Sequence, residues 1–309
     1  METIYKTVYF RDKFTNFENA NLSIANSAML YGLSTYSVMP VYLSFDHSKL
    51  NLFRIEDHYK RLSNSSKILG FNDFEKNYSL SSFKKLIHRL LIQNNIQSDS
   101  LVRMTIFVDA ILAGSKSYQQ KTSLAIFVYP MTPLIKGKGA SLMVSSWNRI
   151  ADNAIPARAK VNGAYVNSAL MKNEALRLGY DDAIALDRDG HVTESTISNI
   201  FIVRNKTLIT SGLASDVLEG ITRNSIALIA AQLGIPLVER SIDRTELYLA
   251  EEAFLCGSSL GIFPIFQIDH TAINNQHQGP LTIKIKNLYQ NIVRSKTVDV
   301  NQWIESITL

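Results

Sequence analysis

Five short segments carry side chains whose types and order can do chemistry. They are Glu56-Asp-His-Tyr-Lys-Arg-Leu62, Ala157-Arg-Ala-Lys-Val-Asn-Gly-Ala-Tyr165, Val192-Thr-Glu-Ser-Thr-Ile-Ser-Asn-Ile-Phe201, Leu218-Glu-Gly-Ile-Thr-Arg223 and Phe254-Leu-Cys-Gly-Ser-Ser259. Lys160 offers an amine that can form a Schiff base and shuttle a proton. Glu194 offers an acid for a ring nitrogen. Gly220-Ile221-Thr222 opens a helix, where unpaired N–H groups and the positive end of the dipole suit a phosphate dianion. Arg61 can add a bidentate charge. An amine, an acid for a pyridine nitrogen and a phosphate cradle are together what pyridoxal phosphate chemistry requires.

Each residue alone has an ordinary alternative. A lysine is usually a surface charge, Glu194 a strand-end carboxylate in water, Thr222 a first-turn hydroxyl and Arg61 a helix-surface charge. The order and spacing of all of them together is what carries information.

Other chemistries fit less well. Gly257-Ser-Ser-Leu-Gly261 matches the hydrolase elbow G-x-S-x-G, with Ser259 as the nucleophile. Too little chain follows it to hold the strands, acid and histidine such an enzyme needs, and Asp269-His270 sits too close. The six histidines (His47, His58, His88, His191, His270 and His277) form no helical pair around a carboxylate, and there is no second cysteine, so no metal site is expected. No G-x-G-x-x-G follows a strand. Ser81-Ser82-Phe-Lys84-Lys85 contains S-x-x-K without its companion motifs and reads as a solvated helix face.

The elements that must position these groups follow from periodicity. Strands are expected at Thr7–Phe10, Val38–Phe45, Leu101–Val108, Ser123–Tyr129, Ala140–Trp147, Asn199–Val203 and Thr207–Thr210. Helices are expected over Ile55–Leu69, Leu80–Ile92, Val166–Leu178, Ile221–Leu233 (closed by Gly234) and Leu281–Val293. Asp187-Arg-Asp-Gly190 reads as a hairpin turn. Pro130 to Gly139 combines prolines with glycines. The expected organisation is a small α/β domain over 1–131, an interdomain loop at 132–139 and a large domain over 140–309 that carries Lys160. The fold class is α+β or mixed α/β.

Composition sets outer bounds. The chain has 309 residues, enough for two domains, with 46% hydrophobic and 19% charged residues. The net charge of +5 is spread among acidic residues, so neither nucleic acid nor membrane is expected as a partner. One cysteine, Cys256, excludes an internal disulfide and fits a reducing compartment. No signal sequence or membrane-spanning run is read, so a cytoplasmic location is expected.

Across nearly the whole chain, and most densely from Met143 to Val238, the sequence resembles the branched-chain aminotransferases, which are class IV (fold-type IV) pyridoxal-phosphate enzymes. Met143-Val-Ser-Ser-Trp-Asn-Arg149 and Ile155-Pro-Ala-Arg-Ala-Lys160 are close to that family's run before its cofactor lysine. Glu174 to Leu186 and Leu247 to Leu255 also resemble family segments. The resemblance implies a two-domain, D-amino acid aminotransferase-like fold with the active site between the domains, and a homodimer or larger homo-oligomer. It implies pyridoxal 5'-phosphate as cofactor and transamination between an L-amino acid and a 2-oxo acid such as 2-oxoglutarate. Lys160 is then the catalytic lysine and carries the cofactor as an aldimine. Arg61, Ile221, Thr222 and Ser258, with Gly220, bind the phosphate, Tyr165 the phenolic oxygen and Glu194 the pyridine nitrogen, while Leu218 packs on the ring. Tyr31, Tyr36, Val38, Arg103, Ser258 and Ser259 border the substrate.

The departures from the family pattern concern the substrate. Ser37 and Val38 stand where an acidic residue and a glycine are usual, Leu101 where a tyrosine is, and Met131 and Leu134 where aromatics are. They leave open a D-amino acid or (R)-amine aminotransferase, an aminodeoxychorismate lyase, or a cofactor-binding paralogue without catalysis.

Overall fold

A computed structural model describes residues 4–71, 73–299 and 302–309. The chain divides into two compact units. One comprises Met1–Thr132, Ala159–Gly163 and Asn291–Leu309, and the other Pro133–Arg158 and Ala164–Gln290.

The first unit is built on a seven-stranded sheet. Its order is Ile304–Thr308, Lys49–Phe53, Ser34–Leu43, Ser100–Val108, Thr122–Pro130, Thr7–Phe10 and Lys13–Asn16. Every pairing in it is antiparallel. Alternation sends Met39, Val41, Val102, Met104 and Val128 to one face, where they meet Leu62, Phe83, Ile87, Leu90 and Leu91 of two helices. Those helices are Ile55–Ile68 and Leu80–Gln93. Glu56 and Asp57 stand in the first turn of the former, favourable to its dipole. Ser79 caps the latter, its side chain accepting from Ser82 N. The strand read from Val38 in fact begins at Ser34.

The second unit holds a mixed nine-stranded sheet in the order Leu237–Glu239, Thr207–Thr210, Asn199–Arg204, Glu252–Gly257, Gly261–Ile268, Ala140–Val144, Asp182–Leu186 and Val192–Ser195, with Thr271–Ala272 beside Gly261–Ile268. Helix Tyr165–Arg177 joins the parallel pair Ala140–Val144 and Asp182–Leu186. A core of Leu142, Ile184, Ile200, Ile202, Leu255 and Ile265 lies against one face. The strand expected to reach Trp147 stops at Val144. Beyond it Ser145 Oγ and Ser146 N both turn to the Glu174 carboxylate, which takes the backbone out of the ladder. No helix among the described residues is long and apolar enough to cross a membrane.

Candidate active site

In the first unit Lys160 is fixed by its backbone. Segment Ala159–Gly163 lies along strand Ser34–Leu43, with a bridge between Thr35 and Val161. Lys160 O accepts from Tyr36 N at 3.0 Å and from Thr35 Oγ1 at 2.9 Å, while Lys160 N donates to Ser65 Oγ at 3.2 Å. Gly32 has a φ of +67°, and a Cβ there would stand 2.9 Å from Gly163 Cα. Only glycine allows both that conformation and that approach. Three ties and a close backbone contact thus anchor the main chain from which the amine projects.

Strand register determines what accompanies the lysine. Tyr36 lies opposite Thr105, Val38 opposite Arg103 and Pro40 opposite Leu101, so these side chains share the face turned away from the helices. Tyr36 has Lys160 Nζ 5.0 Å and Arg103 Cζ 3.8 Å from its ring centroid. Arg103 Nη2 also donates to Asn162 Oδ1 at 2.6 Å. Tyr36, Val38, Leu101 and Arg103 are thus brought together with Lys160 within this unit. Tyr31 ends the short helix Ser27–Tyr31 and is about half exposed. Ser37 faces the other way, toward helix Ile55–Ile68, where it meets Arg61 and His58. It is therefore not part of the surface formed by Tyr36 and Val38.

In the second unit three donors hold Glu194. Arg149 Nη2 lies 2.7 Å from Oε1, and Asn199 Nδ2 and Leu218 N donate to Oε2 at 3.0 and 3.2 Å. Both side chains of the ion pair are largely buried. Asn199 Nδ2 donates to Leu218 O as well, at 3.1 Å. That amide joins the carboxylate to the loop entering helix Ile221–Gln232. Gly220 is the N-cap, and a Cβ there would fall 2.0 Å from Asn199 Oδ1. The helix has no acidic residue in its first turn, and Ile221 and Thr222 are buried. Glu194, Leu218, Gly220, Ile221 and Thr222 are therefore one connected structure. Tyr165 begins its own helix. Ser258 and Ser259 sit in the hairpin turn between Glu252–Gly257 and Gly261–Ile268. A turn between two antiparallel strands is not the strand-to-helix elbow of a hydrolase.

Three positions around these groups were not singled out by sequence. Arg149 and Asn199 lie within the motif segments, where their types alone suggest no role. His58 appeared only as a non-ligand. The available signal for Asn199 was its type, since asparagine is depleted in strands yet opens the run Asn-Ile-Phe-Ile-Val.

An amine on a fixed backbone in one unit, and a held carboxylate joined to a helix start in the other, are groups that pyridoxal phosphate chemistry uses, and comparison with known proteins identifies the class. Residues 38–268 match the family model described as amino-transferase class IV, and the chain belongs to that family. A relative from Aquifex aeolicus named a probable branched-chain-amino-acid aminotransferase is 35% identical over 301 residues, covering 97% of this chain and 96% of its own. The branched-chain aminotransferase of Thermoproteus uzoniensis, solved with norvaline, superposes with a TM-score of 0.92 at 33% identity over 98% of this chain and 99% of its own. The branched-chain amino acid aminotransferase of Thermobaculum terrenum, solved in its PLP-form, also superposes at 0.92, with 28% identity over 99% of each chain. The fold is fold-type IV, the cofactor is pyridoxal 5'-phosphate, and the reaction is transamination between small amino and 2-oxo acids.

Proposed function

We propose that this aminotransferase takes the amino group of a branched-chain L-amino acid and passes it to a 2-oxo acid such as 2-oxoglutarate. Two half-reactions share one site, so the kinetics are ping-pong. The observation that carries this choice of substrate is the full-length likeness to relatives named for branched-chain amino acids.

The donor set suits the cofactor. It contains a primary amine on a fixed backbone, a carboxylate held in one orientation, and a helix start without acidic side chains in its first turn. When bound, pyridoxal 5'-phosphate supplies an electrophilic carbon and an electron-accepting ring. Lys160 would hold the cofactor and carry the proton to and from the substrate α-carbon. Glu194 would hold the proton on the pyridine nitrogen, Tyr165 would donate to the phenolic oxygen and Leu218 would lie beside the ring. Arg61, Gly220, Ile221, Thr222 and Ser258 bind the phosphate. Tyr31, Tyr36, Val38, Arg103, Ser258 and Ser259 border the substrate, with Arg103 held in place by Asn162 and Tyr36.

The protein is also proposed to work as a homodimer in the cytoplasm. Its first unit exposes Ile24, Met29, Leu30, Ile111 and Leu112, apolar area that a second copy would cover. The lone cysteine suits a reducing compartment.

The test is the absorption spectrum of the purified protein with L-amino acids added one at a time. The cofactor band should shift with leucine, isoleucine or valine, and Lys160→Ala should abolish the response. A band converted by D-amino acids alone would overturn the donor. No band after added pyridoxal phosphate would overturn the role of Lys160.

A further inference from the structure

Ser37 lies on the core side of its strand. Its cross-strand partner is Met104, and Met39 and Val102 beside it belong to the core. The residue is fully buried, so its hydroxyl needs partners. It has two, both from helix Ile55–Ile68: Oγ stands 2.8 Å from His58 Nδ1 and 2.9 Å from Arg61 Nη2. The two helix positions are three residues apart and share one face.

The chemistry of the groups gives this chain a direction. A guanidinium only donates, so Ser37 Oγ accepts from Arg61. His58 is fully buried, and burial first, then the charges of Arg61, Arg54 and Lys160, push its pKa well below the ordinary value. The ring is therefore neutral, with one lone pair to offer. With Arg61 donating to Oγ, Nδ1 is the acceptor within reach of the Ser37 proton, and the tautomer that satisfies the buried hydroxyl carries the ring proton on Nε2, which has no hydrogen-bond partner among the described residues. A donor chain of this kind polarises in one sense, which strengthens the serine oxygen as an acceptor.

We propose that Ser37 is a positioning residue for Arg61, whose guanidinium it holds through a neutral chain ending in His58, so that the arginine is oriented for a phosphate while losing none of its charge to this contact. The inference rests on reading Arg61 as a phosphate ligand.

Binding of pyridoxal phosphate is compared with binding of pyridoxal, which lacks the phosphate, by equilibrium dialysis of the full chain. Ser37→Ala should weaken pyridoxal phosphate about tenfold, the effect of one hydrogen bond to a charged group, and leave pyridoxal unchanged. Ser37→Thr, which keeps the hydroxyl, should restore the preference to within about twofold. An equal loss for both ligands, or no loss for either, overturns the proposal. Should Ser37→Ala fail to fold, Ser37→Cys is read the same way. Arg61→Ala separates the two readings. If it abolishes the preference for the phosphorylated ligand while Ser37→Ala does not, only the role of Ser37 falls. If it leaves the preference intact, the reading of Arg61 falls too.

Discussion

The two units hold their charged groups by opposite means. Glu194 is met by a full countercharge on Arg149, an amide and a backbone N–H. Arg61 is met by the hydroxyl of Ser37, backed by a neutral imidazole. A countercharge gives strength but satisfies the group it holds. A neutral partner orients the group without placing a countercharge at that contact. The first arrangement suits a carboxylate that must stay in one place, and the second suits a cation proposed to bind an anion.

The largest expected effect comes from breaking the charged arrangement. Arg149→Met leaves a buried carboxylate without its ion and should cost about 3–5 kcal/mol by urea unfolding. Most of that should return in Arg149→Met with Glu194→Gln, since no charge is then stranded. A loss below about 1 kcal/mol would mean that Arg149 contributes no more than a surface pair. Gly220→Ala drives a methyl into Asn199 Oδ1 and should cost about 1–3 kcal/mol as overpacking. Adding Asn199→Ser should relieve part of it, and purely additive losses would show that the amide and the turn are not coupled.

The neutral arrangement shows itself through pH. His58 has a folded pKa well below its unfolded value of about 6.5. Below that pH the unfolded chain binds a proton that the folded chain does not, so stability must fall as pH falls. The slope due to this residue approaches about 1.4 kcal/mol per pH unit. Unfolding of the wild type and of His58→Asn between pH 7 and pH 5 isolates it. A variant as steep as the wild type would place the proton uptake elsewhere.

Much of this architecture was legible where local pattern and burial agree. Strands Thr7–Phe10 and Thr207–Thr210 fall where alternation puts them, and the helices beginning at Ile55, Leu80 and Ile221 start as expected. Strands Lys49–Phe53 and Ile304–Thr308 were not read, because each is short and its pattern makes sense only beside the other. Glu252–Gly257 is buried on both faces for most of its length, so it lacks the alternation that marks a half-buried strand. For the proposed site, the lysine, the carboxylate and the glycine turn are singled out by residue type and order. The groups that hold them are not. Arg149 reaches Glu194 from another segment, and Ser37 reaches Arg61 across a strand–helix contact, neither of which leaves a periodic trace. Ser37 also shows how a position between Tyr36 and Val38 can be misjudged in sequence, since consecutive strand residues face opposite ways.

The pairing of Ile304–Thr308 with Lys49–Phe53 has a consequence for synthesis. Ser306 and Asn51, hydrogen-bonded across it, are 255 residues apart. At ordinary translation rates of about 5–20 residues per second, the strand at 49–53 waits on the order of tens of seconds for its neighbour. During that time the nascent chain presents an open sheet edge bearing Leu50, Leu52 and Phe53, the kind of template on which other chains can add. The first sheet therefore closes only after the intervening chain has been made, and a variant lacking residues 304–309 should be recovered in inclusion bodies.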